Sequence, residues 1–194
     1  MSGRPGFIAG VAALVVLAYI TWNTLHTTSQ GGAGPRPGAA LPAFAAPEAR
    51  SALDGDANVF VRPSDGHPAA CDVRGPDVVN SCELARRGPV VIAFTIVPSQ
   101  RCESQLTTLD RLRSRFPRVG FAGVAIRGER AAVRAAARRG GWRMPIAWDR
   151  DGAVANEYAV SVCPTVVLAR RGRVVRTLVG VRSSAALARE IGAL

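Results

Sequence analysis

The sequence predicts an α/β domain whose sheet is covered on both faces, preceded by one membrane-spanning helix, and three features carry that prediction. Residues 90–96, VVIAFTI, are apolar apart from Thr95 and too few for a long helix, so they read as an interior strand buried on both sides. From there to Trp148 the pattern alternates between short apolar runs and helical apolar stripes, β-α-β-α-β. At the other end, residues 7–22, FIAGVAALVVLAYITW, carry no charge.

Extended to residues 5–25, that first segment reaches about twenty residues, the length a bilayer core requires. Arg4 and the terminal amine lie on its short side, and Tyr19 and Trp22 sit where an interfacial aromatic belt is found. The N-terminus should therefore face the cytoplasm, leaving the rest of a single-pass chain outside the cell membrane. A cleaved signal peptide is the competing reading, but no small-x-small site immediately follows Trp22. Residues 1–25 are accordingly expected to be the anchor. Residues 26–49, rich in Gly, Pro and Ala, are expected to be a flexible or partly extended linker, and residues 50–194 the folded domain.

Early in that domain, Asp54, Asp56 and Asn58 imitate the start of a calcium loop, but no glycine or closing glutamate stands where such a loop needs them. Residues 59–62 suit a short strand and residues 63–68 a turn. Cys71 and Cys82 bracket a segment whose Gly75-Pro76 centre lets the chain double back, so a disulfide between them is geometrically reasonable, structural in the first reading and a second redox pair in the alternative. In an exported domain oxidation is the default, and closing so short a loop is worth about 3 kcal/mol in the chain-entropy account.

The central strand runs through Pro98 into a helix start. Ser99 can serve as N-cap, and the unpaired N–H groups of the first turn, with Arg101 beside them, favour a thiolate at Cys102. Leu106, Leu109, Leu112 and Phe116 form a helical stripe ended by Pro117. A strand over 119–126, a helix over 129–139 stopped by Gly140 and Gly141, and a strand over 145–148 follow. Asp151-Gly152 opens a helical segment ending near Tyr158, strands over 165–170 and 173–179 flank the hairpin signal Arg171-Gly172, and Ser183 caps a last helix.

Composition narrows function by exclusion. The formal net charge is +11, and all 25 basic residues are arginine, which fits a GC-rich coding bias. The arginines are scattered, with no zinc-finger spacing and no aromatic-interleaved basic stripe, so nucleic-acid binding is disfavoured. His26 flanks the apolar segment and His67 lies in a Pro/Gly-rich turn, which leaves no Ser/His/Asp arrangement and no zinc site. No metal and no cofactor are expected.

Two stretches, FTIVPSQRC and WDRDGAVANEYAVSVCPTVVLARRGRVV, carry a resemblance to the thioredoxin-like superfamily. Within it the chain resembles membrane-anchored, extracytoplasmic disulfide oxidoreductases of the TlpA type and the related redoxin, AhpC/TSA group, over roughly residues 50–194. The resemblance implies a central mixed sheet flanked by helices, a cis-proline at Pro164 facing the redox helix, and partners that are protein thiols or disulfides outside the cytoplasm. Family oxidoreductases carry Cys-x-x-Cys at the helix start, whereas this chain has Ser99-Gln100-Arg101-Cys102. A serine hydroxyl without a base is a poor nucleophile toward disulfides, so Ser99 is expected to support the site rather than attack.

The residue before the cis-proline lies beside the redox helix in that family, so Cys163 is the expected substitute partner of Cys102. Three functions follow. The first is a tethered thiol–disulfide oxidoreductase with Cys102 as the attacking thiol and Cys163 resolving. The second is a non-catalytic binding module in which Cys102 and Cys163 form a permanent bridge. The third is a one-cysteine peroxidase, since Ser99-x-x-Cys102 resembles the peroxiredoxin Thr-x-x-Cys, although no proline occupies the family's place before that motif and Cys163 stands where an arginine is common. Substrate, electron donor, direction of exchange and oligomeric state are left open by the residues alone.

Overall fold

The computed structural model describes residues 14–19, 32–64 and 66–194, and the chain divides into two compact units, Met1–Gly31 and Gly32–Leu194. In the first unit, residues 14–19 are helical and exposed. Among the described residues no helix is long and apolar enough to cross a membrane. Most of the span expected over residues 5–25 lies outside them.

The second unit contains, in chain order, β1 (Ala45–Pro47), β2 (Val78–Asn80), α1 (Ser81–Arg87), β3 (Val90–Thr95), α2 (Gln100–Leu112), β4 (Gly120–Ile126), α3 (Arg130–Gly140), β5 (Ile146–Asp149), α4 (Ala153–Glu157), β6 (Thr165–Arg170), β7 (Arg173–Val179) and α5 (Ser184–Gly192). Five strands form one sheet in the order β5-β4-β3-β6-β7, and β1 pairs with β2 separately. The β3-β4 and β4-β5 pairs are parallel, while β3-β6 and β6-β7 are antiparallel, so the sheet is mixed.

All six residues of β3 are buried, and they divide between two cores because successive side chains point to opposite faces. Val91 and Ala93 join Leu106, Leu109 and Leu112 of α2, Val133 of α3, and Leu187 and Ile191 of α5. Val90, Ile92 and Phe94 join Phe44, Val154 and Tyr158 on the other face. The unbroken apolar run of the sequence thus reflects a strand with no solvent face.

Residues 32–49 require a correction. They are expected as a tether, yet they pack onto the domain as a strap. Gly38 N donates to Val174 O at 2.8 Å, Val174 N to Ala39 O at 2.9 Å, and Leu41 N to Gly172 O at 2.9 Å, which covers the edge strand β7. Thr177 Oγ1 donates to Pro35 O at 2.7 Å and the Tyr158 hydroxyl to Pro42 O at 2.8 Å. Phe44 is 0% exposed, in edge-to-face contact with Tyr158 at 5.9 Å between ring centroids. Beyond it, Arg130 Nε donates to Ala49 O at 3.2 Å and Arg134 Nε to the same oxygen at 2.8 Å. Hydrogen bonds from backbone and side chains of scattered partners, and one aromatic anchor, hold this segment, so no apolar periodicity marks it.

Smaller differences follow from local hydrogen bonding. Residues 59–62 form no strand, although Asn58 bridges Ala45. The helix after Pro98 is α-helical to Leu112 and tightens into a 3-10 turn over Arg113–Arg115. The segment before β3 holds β2 and α1, and neither is legible as a separate element because each is short.

The strap makes a prediction. Phe44→Ala should cost about 3–5 kcal/mol, as expected for truncating a buried aromatic, seen as a lowered urea midpoint; a loss below about 1 kcal/mol, as at an exposed linker position, would contradict the packing.

Candidate active site

Cys102 occupies the first turn of α2, and Ser99 stands at the N-cap with extended backbone (φ −156°, ψ 105°). The expected side-chain cap is absent: the Ser99 hydroxyl instead donates to Cys102 Sγ at 3.2 Å. Glu103 holds the Ser99 backbone. Its Oε1 accepts from Ser99 N at 3.1 Å, and its own N–H donates to Ser99 O at 2.9 Å. Glu103 stands one residue beyond the place of a capping-box glutamate, and the capping hydroxyl is turned to sulfur. Arg139 in turn pairs with Glu103 Oε2 at 3.2 Å.

Cys102 is 2% exposed, on the sheet-facing side of α2 with Gln105, Leu106 and Leu109. Gln105 ties this helix to the segment after β7, its Oε1 accepting from Arg182 N at 2.7 Å. Arg101 is exposed, and among the described residues its guanidinium makes no hydrogen bond or ion pair, so the expected local cation is not in contact with the sulfur. What acts on Cys102 is the helix start and Ser99.

The second half of the site is the turn into β6. Thr165, 0% exposed, donates from Oγ1 to Val162 O at 2.6 Å, and Gly180 N donates to Pro164 O at 2.8 Å. These bonds fix Cys163 and Pro164, whose connecting peptide is cis. Continuing the register Phe94↔Thr165 and Thr165↔Val179 by two residues puts Ile96, Cys163 and Val181 on one level beyond the strand ends. Ile96 is 40%, Val162 48% and Val181 53% exposed, so Cys163 lies in an apolar, solvent-facing setting.

Cys102 and Cys163, 61 positions apart, are joined by a disulfide with a Cα separation of 5.7 Å. Cys71 and Cys82 form the other, with Cα atoms 5.4 Å apart. That second bond closes a local turn which Asn80 also holds. Asn80 Nδ2 donates to Ala70 O and Val73 O, each at 2.8 Å, and Oδ1 accepts from Glu83 N at 3.0 Å. Asn80 is thereby the N-cap of α1, with Cys82 in the first turn of that helix, a cap the sequence reading did not single out.

Asp149, 0% exposed, is another positioning residue not singled out from sequence. Its two carboxylate oxygens accept from Val154 N at 3.0 Å and Ala155 N at 2.9 Å, which anchors α4 and the chain that leads to Cys163. Burial pushes its carboxyl above the usual range, against the pull of those two N–H donors. Its sequence signal is weak because the acceptor lies several residues ahead of the helix. An open cavity of about 490 Å³ beside α2 is lined by Pro98, Ser99, Glu103, Thr107, Arg139 and Trp142 and includes neither cysteine. Among the described residues no cluster of His, Cys, Asp or Glu suited to a metal ion is present.

Chemically, the arrangement is a dithiol/disulfide pair at the seam between a helix start and a proline turn. One sulfur sits at a helix N-terminus with a hydroxyl donor, and the other carries what solvent access the pair has.

Comparison with solved structures places this geometry in a known fold. The chain is similar to a secreted disulfide oxidoreductase of Mycobacterium tuberculosis homologous to E. coli DsbE, at 21% identity over 60% of this chain and 89% of that one, with a TM-score of 0.56. It is similar to a thiol:disulfide interchange protein of the thioredoxin family from Chlorobium tepidum, at 17% identity over 82% and 97%, TM-score 0.60. It is also similar to the peroxidoxin BcpB of Mycobacterium tuberculosis, at 16% identity over 81% and 94%, TM-score 0.58. No protein-family model matches the chain, and no curated protein matches it in sequence. At these identities the likeness establishes a thioredoxin-like fold with a mixed sheet.

For the local bridge, replacing both Cys71 and Cys82 with serine should lower unfolding free energy by up to about 3 kcal/mol while the Cys102–Cys163 bond still forms. Peptide mapping together with denaturant titration checks this, and a variant that no longer joins Cys102 to Cys163 would make the two bonds interdependent.

Proposed function

From this shared fold, we propose that the chain is a thiol–disulfide oxidoreductase that exchanges electrons through Cys102 and Cys163 on the outer side of a membrane, tethered by residues 5–25. The observation that supports it best is the pairing of a helix-start cysteine with the cysteine before Pro164, across 61 positions, where no local Cys-x-x-Cys exists. Such a pair passes two electrons by ordinary exchange. A substrate thiolate opens the bridge through a mixed disulfide, or the reduced pair opens a substrate disulfide in the reverse direction. The exposed Ile96, Val162 and Val181 around Cys163 suit a polypeptide carrying apolar side chains next to its cysteine. The uncharged segment over residues 7–22 and the two disulfides suit an anchored chain in an oxidising compartment.

A second reading, a non-catalytic module with a permanent bridge, has its own support: Cys102 is 2% exposed and serine stands in the position of the usual attacking cysteine. The same burial weighs against a one-cysteine peroxidase, whose thiolate must meet peroxide. Full-length chain in detergent micelles should catalyse reduction or oxidation of a protein disulfide, and serine at both Cys102 and Cys163 should abolish turnover while serine at Cys71 and Cys82 leaves it. Turnover equal in all variants, or absent from the unaltered chain, would leave the bridged module. Peroxide consumption that survives Cys163→Ser and is lost in Cys102→Ser would assign the peroxidase.

Apolar docking gives a further outcome. Val181→Asp should raise KM several-fold for a protein disulfide and leave the rate with dithiothreitol unchanged, because only the polypeptide uses the apolar rim. An equal effect on both would mean that the substitution acts on the site itself.

A further inference from the structure

The two sulfurs of the bridge are not equivalent, and the asymmetry runs against the order expected from helix position. We propose that Cys163 is the sulfur that meets the substrate, and that Cys102 is the buried partner that leaves from it and closes back onto it. This assignment rests on the oxidoreductase reading and specifies the path of exchange within it.

The first asymmetry is access. Cys102 is 2% exposed as a whole residue, so its sulfur offers no approach to another chain. Cys163 is only half-buried, directly follows exposed Val162, and lies level with exposed Ile96 and Val181 at the ends of the paired strands. An incoming sulfur must line up with the S–S axis, and of the two residues only Cys163 is reached by solvent to any extent.

Leaving-group chemistry is the second. A disulfide breaks faster when the departing thiol is the more acidic. Cys102 sits in the first turn of α2, where unpaired N–H groups favour negative charge, and receives the Ser99 hydroxyl at 3.2 Å. Cys163, before Pro164, has neither. The helix start and the Ser99 hydroxyl favour departure as thiolate from Cys102 against the opposing effect of its burial, and that same burial bars it from attack on an outside partner.

A substrate thiolate attacks Cys163 Sγ of the oxidised chain, the Cys102–Cys163 bond breaks, and its electron pair leaves on Cys102 as thiolate. A second substrate thiolate attacks the substrate sulfur of the mixed disulfide, and Cys163 departs as thiolate. The substrate is oxidised to a disulfide by two electrons and the chain is reduced to a dithiol. In reverse, Cys163 thiolate attacks a substrate disulfide, and Cys102 thiolate then attacks Cys163 Sγ and releases the second substrate thiolate. Ser99 stays a hydrogen-bond donor to Cys102 throughout and takes no covalent part.

The test uses full-length chain in detergent with Cys71 and Cys82 intact, and a peptide whose one cysteine is activated as a mixed disulfide with thionitrobenzoate. Cys102→Ser, which leaves Cys163 as the one free thiol, should release the coloured thiolate at least tenfold faster than Cys163→Ser, and mass mapping should find the peptide on Cys163. Faster reaction of Cys163→Ser overturns the assignment while keeping the oxidoreductase reading. If both variants react no faster than the denatured chain, the oxidoreductase reading itself fails. The unaltered chain gives the same answer without any substitution: acid quench during opening by glutathione should trap the adduct on Cys163, and an adduct on Cys102 overturns the proposal. For Ser99, thiolate absorbance of Cys102 in the Cys163→Ser background should titrate at higher pH after Ser99→Ala and return toward the starting value with Ser99→Thr; an unmoved titration removes Ser99 from the account.

Discussion

The antiparallel pairing of β3 with β6 is the contact on which the site depends. Phe94 opposite Thr165 fixes the level at which the chain leaves β3 for α2 and enters β6 from the proline turn. Because a sheet register shifts in whole residues and each shift exchanges the faces, the two buried cores hold this register tightly. With it fixed, a helix-start cysteine and one far along the sequence come within bonding distance. The usual tetrapeptide pair needs only a helix turn; this pair needs the assembled sheet.

The same dependence governs how the site tolerates reduction. In the chain-entropy account a closed loop of this length contributes about 4 kcal/mol, so the bridge is not a small part of stability. An exchanging bond must nevertheless open without releasing α2. Leu106, Leu109 and Leu112 secure that helix to the sheet independently of the sulfur, and Gln105 links it to the chain after β7. The Cys71–Cys82 bond is different in kind: it closes a local turn that Asn80 already organises.

Much of this was legible in the residues. The apolar run of β3, the leucine stripe of α2, the Arg171-Gly172 hairpin and the Ser183 cap all rest on local chemistry, and each stands where its pattern puts it. What escaped is non-local. The strap over residues 32–49 is joined through hydrogen bonds to scattered partners, among them Val174, Asn58, Ser81 and Ile146, which leave no periodic trace, and Phe44 is its one aromatic. The Ser99 hydroxyl meets Cys102 Sγ while Glu103 takes the Ser99 N–H, and a residue type that suits an N-cap gives no sign of that sulfur contact. Burial of Cys102 follows from which face of α2 meets the sheet. The spacing of Leu106 and Leu109 implies that face, but helix position alone would have made Cys102 the attacking thiol.

The central claim is that the Cys102–Cys163 bond is an exchanging pair held in a rigid fold rather than a permanent staple. Equilibrating the full-length chain across a series of thiol/disulfide buffers, with each cysteine pair quantified by alkylation and mass mapping, tests it directly. The account predicts that Cys102–Cys163 opens and closes reversibly at potentials within the range of disulfide oxidoreductases, while Cys71–Cys82 stays closed and the far-ultraviolet spectrum is unchanged. A Cys102–Cys163 bond that resists reduction to below about −300 mV, as structural disulfides do, or that opens only as the domain unfolds, would contradict it.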